Sequence, residues 1–219
     1  MSTKYDWLNL IEVSGPFLAV PVLKDVFPQG LEGLEGNRAQ RLRRAYDEWR
    51  DAVDDDDPRL AELHQAWVAE VLTTGLDMDG EVLRLSGAVP PSLRASLSEH
   101  GVTLMPDLAL VDVTRDDAPL LLIHVFPPDT DLEATRRYDG LVATAAERMV
   151  MLLRATSCPL GLVINGECWM LVHAPAGGIT TFATWYARLW GQEAETLRAF
   201  VSLLGVRRFF GPDEAKLPV

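Results

Sequence analysis

The chain has 219 residues, a length that suits one ordinary domain, and hydrophobic residues make up 48% of it, enough to bury a core. This composition excludes a fibrous or wholly disordered protein. Lys and Arg total 20 against 32 Asp and Glu, and the net charge of −12 excludes the overall basic surface of many nucleic-acid-binding domains.

The cysteine content and the hydropathy pattern exclude further classes of protein. There are two cysteines, Cys158 and Cys168, which are too few for a disulfide scaffold or a structural zinc site. The N-terminal sequence lacks the basic stretch and apolar run of a signal peptide. No run of about 18 apolar residues predicts a membrane span. We therefore expect a cytoplasmic protein with no membrane partner.

The first 100 residues are predicted to be mostly helical. Apolar residues at helical spacing predict helices over roughly 4–13, 17–26, 38–53 and 60–75. Asn37 is a suitable N-cap for the third of these helices. A short strand is predicted over 82–85, and Pro90 and Pro91 are expected to open a further helix that ends near Gly101. The acidic run at 54–57 is predicted to be a solvated loop, because it lacks the alternating ligands of an EF-hand.

The second half has a different pattern. Strands over 108–113 and 120–126 predict a hairpin, and strands over 160–164 and 169–173 predict another, joined by Asn165-Gly166. Helices are predicted over 142–155 and 193–204. This order predicts an α+β protein with a mixed sheet flanked by helices. Residues 1–100 would form a helical N-terminal layer and residues 101–219 an α/β core, together making one domain.

Pro106 and Asp107 precede the first of these hairpins, and a long apolar strand follows more than ten residues later. This spacing resembles the restriction-endonuclease core known as PD-(D/E)xK, in which Asp starts one strand while an acid and a Lys alternate along the next. Two carboxylates there hold a divalent ion that activates water, and the Lys neutralises developing charge. Residues two apart on a strand share a face, so both reach one pocket.

The chemistry of that core is mostly missing from this chain. Ile123 and Val125 fall at the acid and Lys positions, and a shift by one residue gives His124 and Phe126. Asp107 alone is a poor metal site, and the carboxylates that could add to it are those of Glu12 and Asp112. The sequence favours a nuclease-like scaffold with a degenerate site and no confident metal site. An active nuclease, with Mg²⁺ as its cofactor, is the first alternative.

Longer segments of the second half carry a wider resemblance. They are the predicted helix with AAERM at 145–149 and the hairpin GLVINGECWMLV at 161–172. They resemble the N-terminal region of large bacterial restriction–modification proteins, namely type IIG-like adenine methyltransferases, including those of DISARM-type phage-defence systems. The NG-x-x-W pattern also resembles the nuclease-like N-terminus of type I restriction motor subunits. The resemblance covers about residues 5–212 and is strongest over 105–211.

The resemblance implies a larger parent protein, with an S-adenosylmethionine-binding domain and an N-P-P-[YF] motif downstream. Neither occurs in this chain, so we expect no cofactor in this domain and no methylation by it alone. The implied function is a non-catalytic N-terminal module that positions DNA or a partner subunit. Its implied partners are the downstream methyltransferase domain or defence-system subunits, together with double-stranded DNA.

Local clusters of arginine are the candidate DNA contacts, because phosphate binding needs such groups. Arg136 and Arg137 follow the loop at 127–131. Arg38, Arg41 and Arg44 begin a long helix, where neighbouring acidic residues favour a solvated face of mixed charge. A second alternative function is an acidic interaction protein that mimics DNA. Trp169, in the Asn-Gly hairpin, is predicted to anchor the core rather than to stack on a base.

Overall fold

The fold is taken from a computed structural model, which describes residues 5–211. Two compact units are present. Of the described residues, the first unit holds 5–13, Phe17–Asp79 and 184–211, and the second unit holds Ser14–Pro16 and Gly80–Ala183. The chain leaves the first unit before residue 80 and returns to it after residue 183.

Helices make up most of the first unit and one layer of the second. In residues 5–211 the α-helices are α1 (Val20–Val26), α2 (Arg38–Asp54), α3 (Leu60–Glu70), α4 (Ala145–Thr156), α5 (Ala194–Leu204) and α6 (Arg207–Phe210). α2 begins after Asn37, as predicted, but the Asn37 side chain makes no capping hydrogen bond. A π-helix (Val71–Gly75) extends α3. The helix predicted over 4–13 is wrong for the residues that the structure describes, because Asp6–Leu10 is a 3₁₀ turn. Lys4 lies outside the described residues. So short a helix has little stability of its own.

Strands form one large sheet and two small ones. The strands in the described chain are β1 (Glu12–Ser14), β2 (Leu83–Leu85), β3 (Ala95–Leu97), β4 (Val102–Leu104), β5 (Leu108–Asp112), β6 (Ala118–Val125), β7 (Arg136–Tyr138), β8 (Leu141–Ala143), β9 (Leu160–Ile164), β10 (Cys168–His173) and β11 (Thr181–Tyr186). The large sheet has the order β1-β11-β10-β9-β6-β5-β2, and β6 runs parallel to β9 while the other pairs described run antiparallel. The predicted α+β class with a mixed sheet flanked by helices is confirmed.

The helix predicted between Pro90 and Gly101 is wrong. Only Pro91–Leu93 forms a 3₁₀ turn, and β3 and β4 then make a hairpin. Ala95 and Leu104 pair across it, both buried, while exposed residues alternate with buried ones along β4. This period of two is the pattern of a half-buried strand. Gly101 has a φ of +64°, which suits the turn between the two strands.

A second hairpin, made of β7 and β8, replaces the start of the helix predicted over 142–155. Its turn is Asp139-Gly140, with φ of +50° and +94°, the signature of a type I′ turn. α4 begins only after Thr144. The side chain of Thr144 accepts a hydrogen bond from the backbone N–H of Glu147, and the Glu147 carboxylate accepts one from the N–H of Thr144. This capping box fixes the start of α4.

The hairpin of β5 and β6 is confirmed, but β6 carries one extra residue. Near the turn the ladder pairs Val111 with Pro119, and farther along it pairs Leu110 with Leu121. Leu120 therefore has no partner of its own and forms a β-bulge. Beyond the bulge Leu108 lies opposite Ile123. The bulge thus moves the whole far end of β6 by one position relative to the start of β5.

Candidate functional site

The side chains of Asp107 and His124 meet at the end of this hairpin. Asp107 lies directly before β5, as predicted, and its Oδ2 lies 3.3 Å from Nδ1 of His124. The same oxygen accepts the backbone N–H of Val125 at 2.9 Å. An ionised carboxylate has no proton to give, so Nδ1 must carry the proton of the His124 contact.

Three further side chains complete what we call the Asp107 cluster: Asp107, His124, Phe126, Tyr138 and Arg148. The ring of Phe126 packs edge-on between those of His124 and Tyr138, with centroid distances of 6.1 and 5.6 Å. Arg148, from α4, donates to the carbonyl of Tyr138 at 3.2 Å, and its guanidinium lies 5.1 Å from the centre of the Tyr138 ring. α4 thus brings a cation to the side of the sheet where His124 lies.

The electrostatics of the cluster favour the ionised form of Asp107. Partial burial raises the pKa of Asp107, but the hydrogen bonds from His124 and Val125 and the charges of His124 and Arg148 outweigh it. The result is a pKa below the ordinary 3.8. The side chains of His124 and Arg148 are only 9% and 10% exposed, whereas that of Asp107 is 49% exposed. Of these three side chains, that of Asp107 is therefore the one that solvent reaches most easily.

The residue of β6 whose side chain contacts Asp107 is His124. The sequence spacing had placed Ile123 at the acid position. The difference arises from the bulge at Leu120. Neither register supplies a second carboxylate or a Lys. Within residues 5–211, no group of three His, Cys, Asp or Glu side chains could hold a metal ion.

The other two carboxylates considered for a metal site do not join the cluster. The Asp112 carboxylate accepts hydrogen bonds from the backbone N–H and the hydroxyl of Thr114, at 3.0 and 2.6 Å, which caps the turn after β5. Glu12 is exposed on β1. Asp107 is the carboxylate that contacts His124, and the exposed carboxylate of Asp139 lies 3.7 Å from the guanidinium of Arg148.

Two polar atoms of the cluster are buried. Nε2 of His124 and the hydroxyl of Tyr138 have no hydrogen-bond partner among the residues that the structure describes. Of the two ring nitrogens of His124, only Nδ1 has a partner there. Sequence reasoning missed Arg148 and Tyr138. The signal for Tyr138 was the Asp139-Gly140 turn, and no sequence signal indicated that Arg148 points inward from α4.

The predicted DNA contacts fall into two groups with different surroundings. Arg136 and Arg137 are exposed on β7 in the second unit, and neither has an ion-pair partner in the described part of the chain. In the first unit, Arg38 binds both carboxylate oxygens of Asp77 at 2.9 Å, and Arg41 lies 2.8 Å from Glu70. Arg44 is exposed. Two arginines of α2 are thus already engaged by carboxylates.

The Asn-Gly hairpin between β9 and β10 supports the loop that leads to β7. The buried Asn165 donates to the carbonyl of Thr130 at 2.9 Å and accepts the backbone N–H of Cys168 at 2.6 Å. Trp169 donates to the carbonyl of Gly166 at 3.0 Å and is fully buried. The prediction that Trp169 anchors the core is confirmed. Asn165 does more than form a turn, because it holds the loop at 127–131.

None of the helices in residues 5–211 has the length and apolar character that a bilayer crossing requires. Comparisons with protein-family models, with curated proteins and with solved structures found no match to this chain.

Proposed function

We propose that the chain is a non-catalytic, nuclease-like module of a bacterial restriction–modification or phage-defence DNA methyltransferase, and that it positions double-stranded DNA. The observation that carries this proposal is the state of Asp107. Its carboxylate is bound by His124 and by the Val125 N–H, where an active nuclease would use it to bind a metal ion. One carboxylate already held in this way cannot supply two-carboxylate metal chemistry.

The arrangement of the strands supports the nuclease-like part of the proposal. β2, β5 and β6 form a meander, α4 follows, and β9 returns parallel to β6. Asp107 lies at the start of one strand, and the next strand along the chain runs beside it, as the PD-(D/E)xK frame requires. This arrangement supports the proposed frame, in which His124 and Phe126, or Ile123 and Val125, would occupy the acid and Lys positions.

The arginines of β7 support the DNA-positioning part. Arg136 and Arg137 are exposed and adjacent, and they share a three-residue strand with Tyr138 of the Asp107 cluster. Exposed guanidinium groups bind phosphate well, because their fork matches its oxygens. The net charge of −12 opposes DNA binding, so we expect weak affinity that falls steeply with salt.

Fluorescence anisotropy with a labelled duplex at low salt tests the positioning role. We expect binding by the wild-type chain, and a loss of about tenfold in the Arg136→Ala/Arg137→Ala variant. The salt dependence should also fall by about one unit of slope per arginine. Arg115→Ala is the matched control, because Arg115 is also exposed in the second unit. Binding that the double variant leaves unchanged, or no binding at low salt, would overturn the DNA-positioning role.

Incubation of supercoiled plasmid with Mg²⁺ or Mn²⁺ tests the non-catalytic part. We expect no cleavage above the level given by the Asp107→Ala variant. Metal-dependent cleavage by the wild type that disappears in Asp107→Ala would establish the active-nuclease alternative instead. The two assays are independent, since the first reports on the arginines of β7 and the second on Asp107.

A further inference from the structure

A cavity of about 280 Å³ lies within the first unit, between α2 and the segment that joins β11 to α5. This volume is close to the lower limit of roughly 300 Å³ for small-molecule sites. Its apolar lining comes from Ala39, Leu42, Tyr46, Ala187, Trp190 and Leu197. Tyr46 and Trp190 both belong to the aromatic core of this unit, because each packs against Trp67, with centroid distances of 5.7 and 6.1 Å. The aromatic wall is therefore held rigidly.

Polar groups complete the lining. Arg43, Asp47, Arg188 and Gln192 contribute to it, and the first two have side chains that are 66% and 61% exposed. The guanidinium of Arg188 lies 4.2 Å from the centre of the Tyr186 ring, a cation–π contact that limits its movement. Nε of Arg43 lies 3.9 Å from the carboxylate of Asp47, so these two charges offset each other, and Arg188 gives the lining its net positive charge although the chain as a whole carries −12.

We propose that this cavity binds a nucleoside monophosphate group, with its base against Tyr46 and Trp190 and its phosphate on Arg43 and Arg188. Aromatic side chains accept any base through stacking or edge contacts. Guanidinium groups are the side chains best suited to a phosphate. Asp47 can only accept hydrogen bonds, so it favours bases that present an exocyclic amine, such as adenine.

A base joined through a sugar to a phosphate occurs both in a free nucleotide and in an unpaired nucleotide at the end of a nucleic-acid strand. The inference does not rest on the proposed function, because the cavity lies in the first unit and the Asp107 cluster and β7 lie in the second. An experiment that contradicts the proposed function therefore does not contradict the nucleotide site, and the reverse also holds.

Isothermal titration with AMP, adenosine and UMP tests the site on the full chain. We expect saturable binding of AMP with a Kd below about 1 mM, and weaker binding of UMP. Arg43→Ala and Arg188→Ala should each weaken AMP binding by about tenfold and leave adenosine binding unchanged. The reason is that adenosine lacks the phosphate on which these guanidinium groups act.

A blocking variant and a matched control make the test specific. A Cβ atom at Gly191 would lie 3.6 Å from Nε of Arg43, in ordinary contact, so Gly191→Leu should fill the mouth of the cavity and abolish binding of all three probes. Arg50→Ala is the control, because Arg50 pairs with Asp54 on α2 as Arg43 pairs with Asp47 but does not line the cavity. Circular dichroism checks that each variant is folded.

A second titration separates the two sources. It uses a 5′-phosphorylated duplex that ends in three unpaired nucleotides, a blunt duplex and AMP as competitor. Tighter binding of the unpaired end than of AMP, with displacement by AMP, identifies a strand end as the ligand; binding of AMP alone identifies a free nucleotide. Absence of AMP binding at about 1 mM, or equal AMP binding by wild type and folded Gly191→Leu, would overturn the proposal.

Discussion

The side chains of Asp107 and His124 are joined by a hydrogen bond because β6 carries one residue more than its partner strand requires. Without the bulge at Leu120, the pairing next to the turn would continue and set Asp107 opposite Ile123. The bulge replaces an apolar neighbour by an imidazole. It therefore places beside Asp107 the imidazole that helps to lower the pKa of this carboxyl.

The lowered pKa of Asp107 predicts a pH-dependent contribution to stability. Since the folded-state pKa lies below the unfolded value of about 3.8, ionised Asp107 stabilises the fold fully above that pH, and this contribution is lost as the pH falls through the folded-state pKa. Asp107→Asn should therefore destabilise the protein near neutral pH and by less near pH 3. Urea midpoints of both proteins across this range measure the effect. A difference that does not change with pH would contradict the assignment.

Gly161 permits the close packing of α4 on β9. A Cβ atom there would lie 2.5 Å from Sδ of Met149, which is fully buried, and 3.2 Å from Leu153. We expect Gly161→Ala to lower the free energy of unfolding by about 1–3 kcal/mol through overpacking. Gly80→Ala is the control, because nothing lies within 4 Å of its Cβ position, and it should change stability by less than about 0.5 kcal/mol. Urea unfolding measures both. Equal stability of the two variants would show that Met149 can move aside without cost.

Cys158 is predicted to be unreactive in the folded protein. Burial raises the pKa of Cys158 to about 11, so very little thiolate exists at pH 8. In a Cys168→Ser variant, the remaining thiol should react with a disulfide reagent at least about 100-fold more slowly than free cysteine. Labelling in urea should restore the ordinary rate. Rapid labelling of the native variant would mean that β9 opens locally.

Arg208 is predicted to stabilise the first unit through contacts that Lys cannot reproduce. It is 7% exposed, donates to the carbonyl of Ser202 at 2.7 Å and to Glu32 at 2.8 Å, and lies over the ring of Phe27. Arg208→Lys should cost about 2 kcal/mol, because an ammonium lacks the planar fork.

Arg207→Lys is the matched control for this prediction. Arg207 is 72% exposed and lies 4.0 Å from Glu35, so the substitution should change stability by less than about 0.5 kcal/mol. Thermal or urea unfolding compares the two variants. A similar small effect of both would show that the charge of Arg208, rather than its shape, is what the fold requires.

Much of the fold could be predicted from local patterns. The apolar spacing on α2, with Asn37 at its start, and the Asn165-Gly166 turn are short-range signals that no other part of the chain overrides. The region after Pro90 was predicted to be a helix because the spacing of its apolar residues fits a helix as well as a strand. In the structure, the pairing of β3 with β4 favours the strand. The Asp139-Gly140 turn was readable in the sequence but lay beside a stronger helical pattern.

The candidate site was predictable only in part. Asp107 was identified from its place before a strand, which is a property of the sequence. Its neighbours were not, because they depend on long-range geometry. His124 reaches Asp107 through a bulge, and Arg148 reaches Tyr138 through the packing of α4 on the sheet. Neither a bulge position nor a helix orientation is encoded by spacing alone.

The bulge at Leu120 also determines how this chain should be compared with other sequences. A single codon, gained or lost within β6, exchanges the residue that touches the carboxylate of Asp107 without changing any residue of β5. Such a site can alter its chemistry through an insertion as readily as through a substitution. Where a homologous hairpin lacks the bulge, an alignment without a gap in β6 would place His124 in the wrong column. It would then name the wrong residue as the neighbour of Asp107.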